Sequence, residues 1–167
     1  MDAITKNSYQ KFLFDFIRFD ILVSCPACSK KAVVKPGNFE FGNLEESDIK
    51  VICSHCGYNK KLSDQAAADV HTPHKKADTT RQIVLGDAID PFFHLPLWLQ
   101  TDFEKYTFWA YNVEHLDFLQ DHIGAKLRER NGQAIYNRSL GSRLPKWMTS
   151  KQNRAVLLKK IEALKDK

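Results

Sequence analysis

The sequence has no long apolar run. Its most apolar early stretch, Phe12 to Val23, is broken by Asp15, Arg18 and Asp20, short of the roughly 18 to 20 apolar residues that span a bilayer. No membrane association is therefore expected. Met1-Asp2-Ala3 offers neither the basic start nor the small-residue cleavage site of a signal peptide, so a cytoplasmic location is expected and the Asn-x-Ser triplet at Asn137 is incidental. Cysteine is scarce, at four residues, and a reducing compartment argues against a disulfide framework.

Signatures of catalysis are missing too. There is no Gly-rich phosphate loop, no Gly-x-Ser-x-Gly elbow and no His-Glu-x-x-His helix. Neither a catalytic residue nor a small-molecule substrate is expected. Asp87, Asp90, Asp102 and Glu104 invite comparison with metal-dependent nucleases, but the acidic-x-Lys spacing is absent because Lys105 directly follows Glu104. His115 and His122 stand about 10.5 Å apart along a helix, at roughly 1.5 Å per residue, too far to share an ion. They read as surface or packing residues. His71 and His74, beside Lys75 and Lys76, read as part of a solvated loop.

What is present is an ordinary folded composition, 43% hydrophobic and 27% charged, on a chain long enough to bury a core. The charge is unevenly placed. Residues 124–167 carry 12 basic and 3 acidic side chains, whereas residues 1–123 carry 13 and 17.

Periodicity suggests a helix over residues 8–19, although Phe12, Phe14 and Phe16 also fit strand alternation. A short strand, Asp20 to Ser24, should follow. Pro36-Gly37-Asn38 signals a turn, Glu45 to Asp48 an acidic loop tip, and Lys50 to Cys53 a returning strand. Residues 63–80 are polar and read as a linker. Beyond them, Arg81 to Leu85 suits a strand, and Pro91 and Pro96 bracket an extended Phe92 to Leu95. Leu97 to Gln100 and Tyr106 to Tyr111 look like two strands joined at Thr101-Asp102. Asn112 should cap a helix whose stripe is Val113, Leu116, Leu119, Ile123 and Leu127, ended by Asn131-Gly132. A short helix over Ser139 to Leu144 stops near Pro145. Thr149 or Ser150 should cap a last helix that turns Leu157, Leu158, Ile161 and Leu164 inward.

Cys25-Pro26-Ala27-Cys28 and Cys53-Ser54-His55-Cys56-Gly57 are two Cys-x-x-Cys knuckles separated by 24 residues. Each turn aims two thiolates at one point, and the pair completes the tetrahedron that structural Zn²⁺ takes. Gly57 relieves the tight turn after the second knuckle. Four thiolates would also suit iron. A redox dithiol at Cys25-Cys28 would need a thioredoxin-like context and would leave the second pair idle.

The pattern resembles the zinc-ribbon superfamily over about residues 20–62, with Cys25, Cys28, Cys53 and Cys56 as metal ligands. Leu127-Arg128-Glu129-Arg130 and Ser142-Arg143-Leu144-Pro145-Lys146-Trp147 resemble the tails of uncharacterised bacterial ribbon proteins, a likeness that implies no activity. The expected fold is α+β: an N-terminal four-cysteine zinc ribbon and a β-hairpin layer packed on a C-terminal bundle of two or three helices. The expected organisation is an N-terminal segment with the ribbon over 1–62, a linker over 63–80, and an aromatic hairpin with a basic helical region over 81–167.

The basic region suggests a phosphate-binding surface. The candidate contacts are Lys30, Lys31, Arg138, Arg143, Lys146, Trp147, Lys151 and Arg154, with Trp147 able either to stack on an unpaired base or to pack in the core. The sequence thus reads as a non-catalytic, nucleic-acid-binding or accessory protein with structural zinc. One alternative is an adaptor or complex subunit that meets an acidic protein partner, or uses Phe92, Phe93 or Trp98 as exposed anchors. A metal-dependent nuclease is another.

Overall fold

A computed structural model describes residues 10–38, 40, 44–65, 81, 83–125 and 138–167. The chain forms two compact units. A sheet unit, Asp20–Trp98, is the middle of the sequence, and a helical unit combines Met1–Phe19 with Leu99–Lys167. The mixture of antiparallel strands and helices is α+β, as expected.

In the sheet unit, β1 (Ile21–Ser24), β2 (Lys31–Lys35), β3 (Lys50–Ile52) and β4 (Asn59–Lys61) form one antiparallel sheet in sequence order. The register pairs Ile21 with Val34, Val23 with Ala32, and Val34 with Val51. These five residues are all buried, because alternate residues of paired strands share one face. The outer edge of β1 is covered by its own chain: Trp98 N–H donates to Leu22 O at 2.9 Å and Ser24 N–H to Pro96 O at 2.9 Å. Gly37, with φ +63°, makes the bend after β2, where a Cβ would lie 2.7 Å from Asp48 Cβ.

Two polar clamps hold the loops of this unit. The buried Arg81 guanidinium meets both carboxylate oxygens of Glu46, at 2.8 and 3.0 Å, and the carbonyls of Leu62 and Gln65 at 3.0 and 2.7 Å. That pairing holds Glu46 below the usual carboxylate range. Asp90 is fully buried and accepts the backbone N–H groups of Phe92, Phe93 and Leu95 at 3.0, 2.8 and 2.6 Å. Burial pushes its pKa up, against those three donors.

In the helical unit, β5 (Leu99–Phe103) and β6 (Tyr106–Ala110) form a hairpin, followed by α2 (Val113–Gly124), α3 (Leu140–Arg143), α4 (Lys146–Thr149) and α5 (Arg154–Lys165). The single-turn α1 (Leu13–Phe16) belongs here. Asn112 ties its pieces together: its Oδ1 accepts the His115 N–H at 3.0 Å while its side-chain amide donates to Phe16 O at 2.7 Å. Leu116, Leu119 and Ile123 of α2 and Leu157, Ile161 and Leu164 of α5 are buried, following helical spacing.

Several local expectations are revised. The helix expected over residues 8–19 is a single turn, with Asp15 accepting from its Phe12 N-cap N–H at 2.8 Å; Ser8 and Tyr9 lie outside the described residues. The strand expected at Arg81 to Leu85 does not form in the described positions, where Arg81 is committed to the clamp. Phe92 to Leu95 is a turn folded around the Asp90 carboxylate and not an extended segment. The hairpin closes at Glu104-Lys105, with Glu104 at φ +51°, so Thr101 and Asp102 are strand residues. The chain resumes helix after Pro145 as α4, and the N-cap of α5 is Asn153. Val113 is 47% exposed and outside the apolar stripe, whereas His115 and His122 are buried within it. Leu127, Asn131 and Gly132, and most of the expected linker, lie outside the described residues.

Candidate metal centre

The two knuckles are built alike. Cys25 N–H donates to Lys30 O at 2.8 Å and Ser29 N–H to Cys25 O at 2.9 Å. In the second knuckle Cys53 N–H donates to Tyr58 O at 2.8 Å and Gly57 N–H to Cys53 O at 2.9 Å. The fifth residue of each turn is left-handed, Gly57 at φ +77° and Ser29 at φ +59°. Glycine takes this conformation freely, whereas for serine it is strained. Each turn links two strands, β1 to β2 and β3 to β4, and the antiparallel register between β2 and β3 brings the turns to the same end of the sheet.

All four sulfurs lie within 4.8 Å of one another. Cys25 Sγ and Cys56 Sγ are 3.7 Å apart, as are Cys28 Sγ and Cys53 Sγ. A disulfide would need about 2.05 Å, and all four cysteines are free. A tetrahedral ion with metal–sulfur bonds of about 2.3 Å places its sulfurs about 3.8 Å apart. The donor set fits such an ion. Among the described residues no other group of three or more His, Cys, Asp or Glu side chains is placed to hold a metal.

Backbone donors support anionic sulfur here. Ala27 N–H donates to Cys25 Sγ at 3.4 Å. The N–H groups of Cys56 and then His55 lower the Cys53 thiol to about 7. At Cys28 the Lys30 N–H favours the thiolate, but burial and the neighbouring sulfurs outweigh it and push the pKa up to about 12. Crowding of the sulfurs thus opposes full ionisation of the cluster. A cation held by these sulfurs would supply the compensating charge and displace the protons, so its affinity would rise with pH.

The candidate phosphate contacts fall in both units. Lys30 and Lys31 are exposed beside the first knuckle. In the helical unit Arg138, Arg143, Lys146 and Lys151 are exposed and Arg154 is half-buried. Trp147 is half-buried and lies parallel to Tyr106, with centroids 4.9 Å apart, and to Phe103 at 5.3 Å. It caps the turn end of the hairpin, a contact that its spacing from Leu140 and Leu144 does not reveal.

Phe92 and Phe93, expected as exposed anchors in the adaptor reading, are 1% and 7% exposed because their turn is drawn inward around Asp90. Neither is an exposed anchor, and Trp98, the third aromatic of that reading, is half-buried. Of the nuclease-like carboxylates, Asp90 is consumed by three backbone donors and Asp87 accepts from Ala88 N–H at 2.7 Å. His71 and His74 lie outside the described residues. The sequence does not reveal the roles of Arg81, Asp90 and Ser29: Arg81 binds partners 16 to 35 positions away, Asp90 accepts three backbone N–H groups of the turn that follows it, and Ser29 is singled out by its backbone angle.

No family model, curated protein or solved structure matches the chain. Among the described residues, no helix is long and apolar enough to cross a membrane.

Proposed function

We propose that the chain is a non-catalytic zinc-ribbon protein whose zinc is structural and whose basic helical unit binds nucleic acid, in the manner of an accessory factor. The observation that carries the zinc reading is the four-sulfur cluster, with its 3.7 Å separations across the knuckles. Four thiolates close the coordination sphere and leave no position for a substrate water. The same sulfurs would accept iron; zinc, which has no redox chemistry, suits a structural role.

The nucleic-acid reading draws on charge. The helical unit has 16 basic against 10 acidic residues over its full sequence, and the sheet unit 9 against 10. The exposed cations Arg138, Arg143, Lys146 and Lys151 lie in a short stretch around Trp147, a composition suited to phosphate oxygens.

The test is fluorescence anisotropy of labelled single- and double-stranded DNA and RNA against salt. Several phosphate contacts predict an affinity loss of about a hundredfold between about 50 and 200 mM salt. Absence of binding at low salt, or affinity indifferent to salt, refutes the reading.

A further inference from the structure

The four sulfurs are not equally reachable. Cys25 and Cys53, the first ligand of each knuckle, are 2% and 1% exposed. Cys28 is half-buried, and Cys56 is exposed. The surroundings of Cys56 are open as well. Ser54, His55 and Gly57 are all exposed, and a Cβ built on Gly57 would meet nothing within 4 Å. The first knuckle also has exposed residues in Pro26, Ala27 and Ser29, but its second sulfur is partly covered. The two knuckles share their backbone hydrogen bonds, yet differ in access to the sulfur.

We propose that Cys56 is a modification site, the sulfur at which small soft electrophiles reach the metal centre, and that their addition there releases the ion. The proposal rests on the metal reading above. Only the thiolate form of cysteine is an effective nucleophile, and a metal-held sulfur is already deprotonated. With an alkyl halide, a lone pair of Cys56 Sγ forms a sulfur–carbon bond while the carbon–halogen bond breaks and halide leaves. The product is an uncharged thioether. One negative ligand is lost, the metal–sulfur bond breaks, and three thiolates are left to hold the ion. No oxidant or further reactant is needed. The sequence has no cysteine outside the cluster to compete.

The test uses the full chain, with bound zinc measured first. A chain that takes up no zinc contradicts the metal reading itself, before any labelling. On loaded protein, iodoacetamide below one equivalent is followed by peptide mass spectrometry and by a zinc-sensitive dye. Cys56 should carry the label first, with about one ion released per labelled chain. Labelling of Cys28 at an equal or faster rate overturns the proposal, as does a labelled Cys56 that keeps its ion. Cys56→His guards against a variant that merely fails to fold, because three thiolates and one imidazole still bind zinc. It should retain one ion and lose it to iodoacetamide about tenfold more slowly. An unchanged rate would place the entry point at another sulfur.

Discussion

The sheet unit and the helical unit are held together by different forces. The strands of the sheet unit are three to five residues long, so its apolar face rests on a few side chains such as Ile21, Val23, Val34 and Val51. It compensates with point attachments: the Arg81 clamp, the Asp90 turn and the four-sulfur cluster. The helical unit has two twelve-residue helices, α2 and α5, whose leucine and isoleucine stripes are buried along with the hairpin residues Leu99, Phe103 and Phe108. A unit built on point attachments should fail when one is removed. A unit built on packed area should weaken by degrees.

The largest expected difference comes from removing the proposed zinc. A structural zinc site is worth about 10 kcal/mol or more of folding free energy. Chelation should therefore abolish amide-exchange protection in β1, β2 and β3 while α2 and α5 retain theirs. Equal loss in both units would erase the contrast. A smaller, opposite effect is expected from Leu157→Ala, which empties a fully buried position of α5. It should cost the helical unit about 3 kcal/mol in denaturant titration and leave the bound metal at its original stoichiometry.

Acid should weaken the helical unit through a buried histidine. His115 is buried, stacked on Phe16 at 4.7 Å, and accepts the Tyr111 N–H through Nδ1 at 3.3 Å. Burial lowers its pKa from 6.5 to about 3. The unfolded chain therefore binds a proton between pH 6.5 and 3 that the folded chain does not. The stability is intact above pH 6.5 and lost as pH falls, by about 1.4 kcal/mol per pH unit. Exchange protection of α2 in His115→Gln should lose this slope. The smallest effect concerns the knuckles. Ser29→Gly relieves a left-handed serine and should stabilise the sheet unit by about 1 kcal/mol, measured as resistance of the metal-loaded protein to denaturant.

The contrast also governs what the sequence revealed. The cysteine spacing determines that two turns converge, since a Cys-x-x-Cys turn carries its geometry locally. The helix α2 was equally legible, from Asn112 and the Leu116, Leu119, Ile123 spacing. The stretch around Phe12 to Phe16 satisfied both helical and alternating patterns, and its outcome is set by tertiary partners: Asn112 on the Phe16 carbonyl and His115 on its ring. The hairpin turn was misplaced because Glu104-Lys105 lacks the glycine or asparagine that usually marks a two-residue loop. Arg81 reads as one more polar residue until Glu46, 35 positions away, is placed against it.

The sheet unit depends most on the proposed four-thiolate centre. X-ray absorption at the zinc edge of the purified chain, with the bound ion counted in the same sample, tests it most directly. The expected result is one zinc per chain surrounded by four sulfurs at about 2.3 Å. Nitrogen or oxygen in the coordination shell, or a folded sheet unit with no ion, would contradict it.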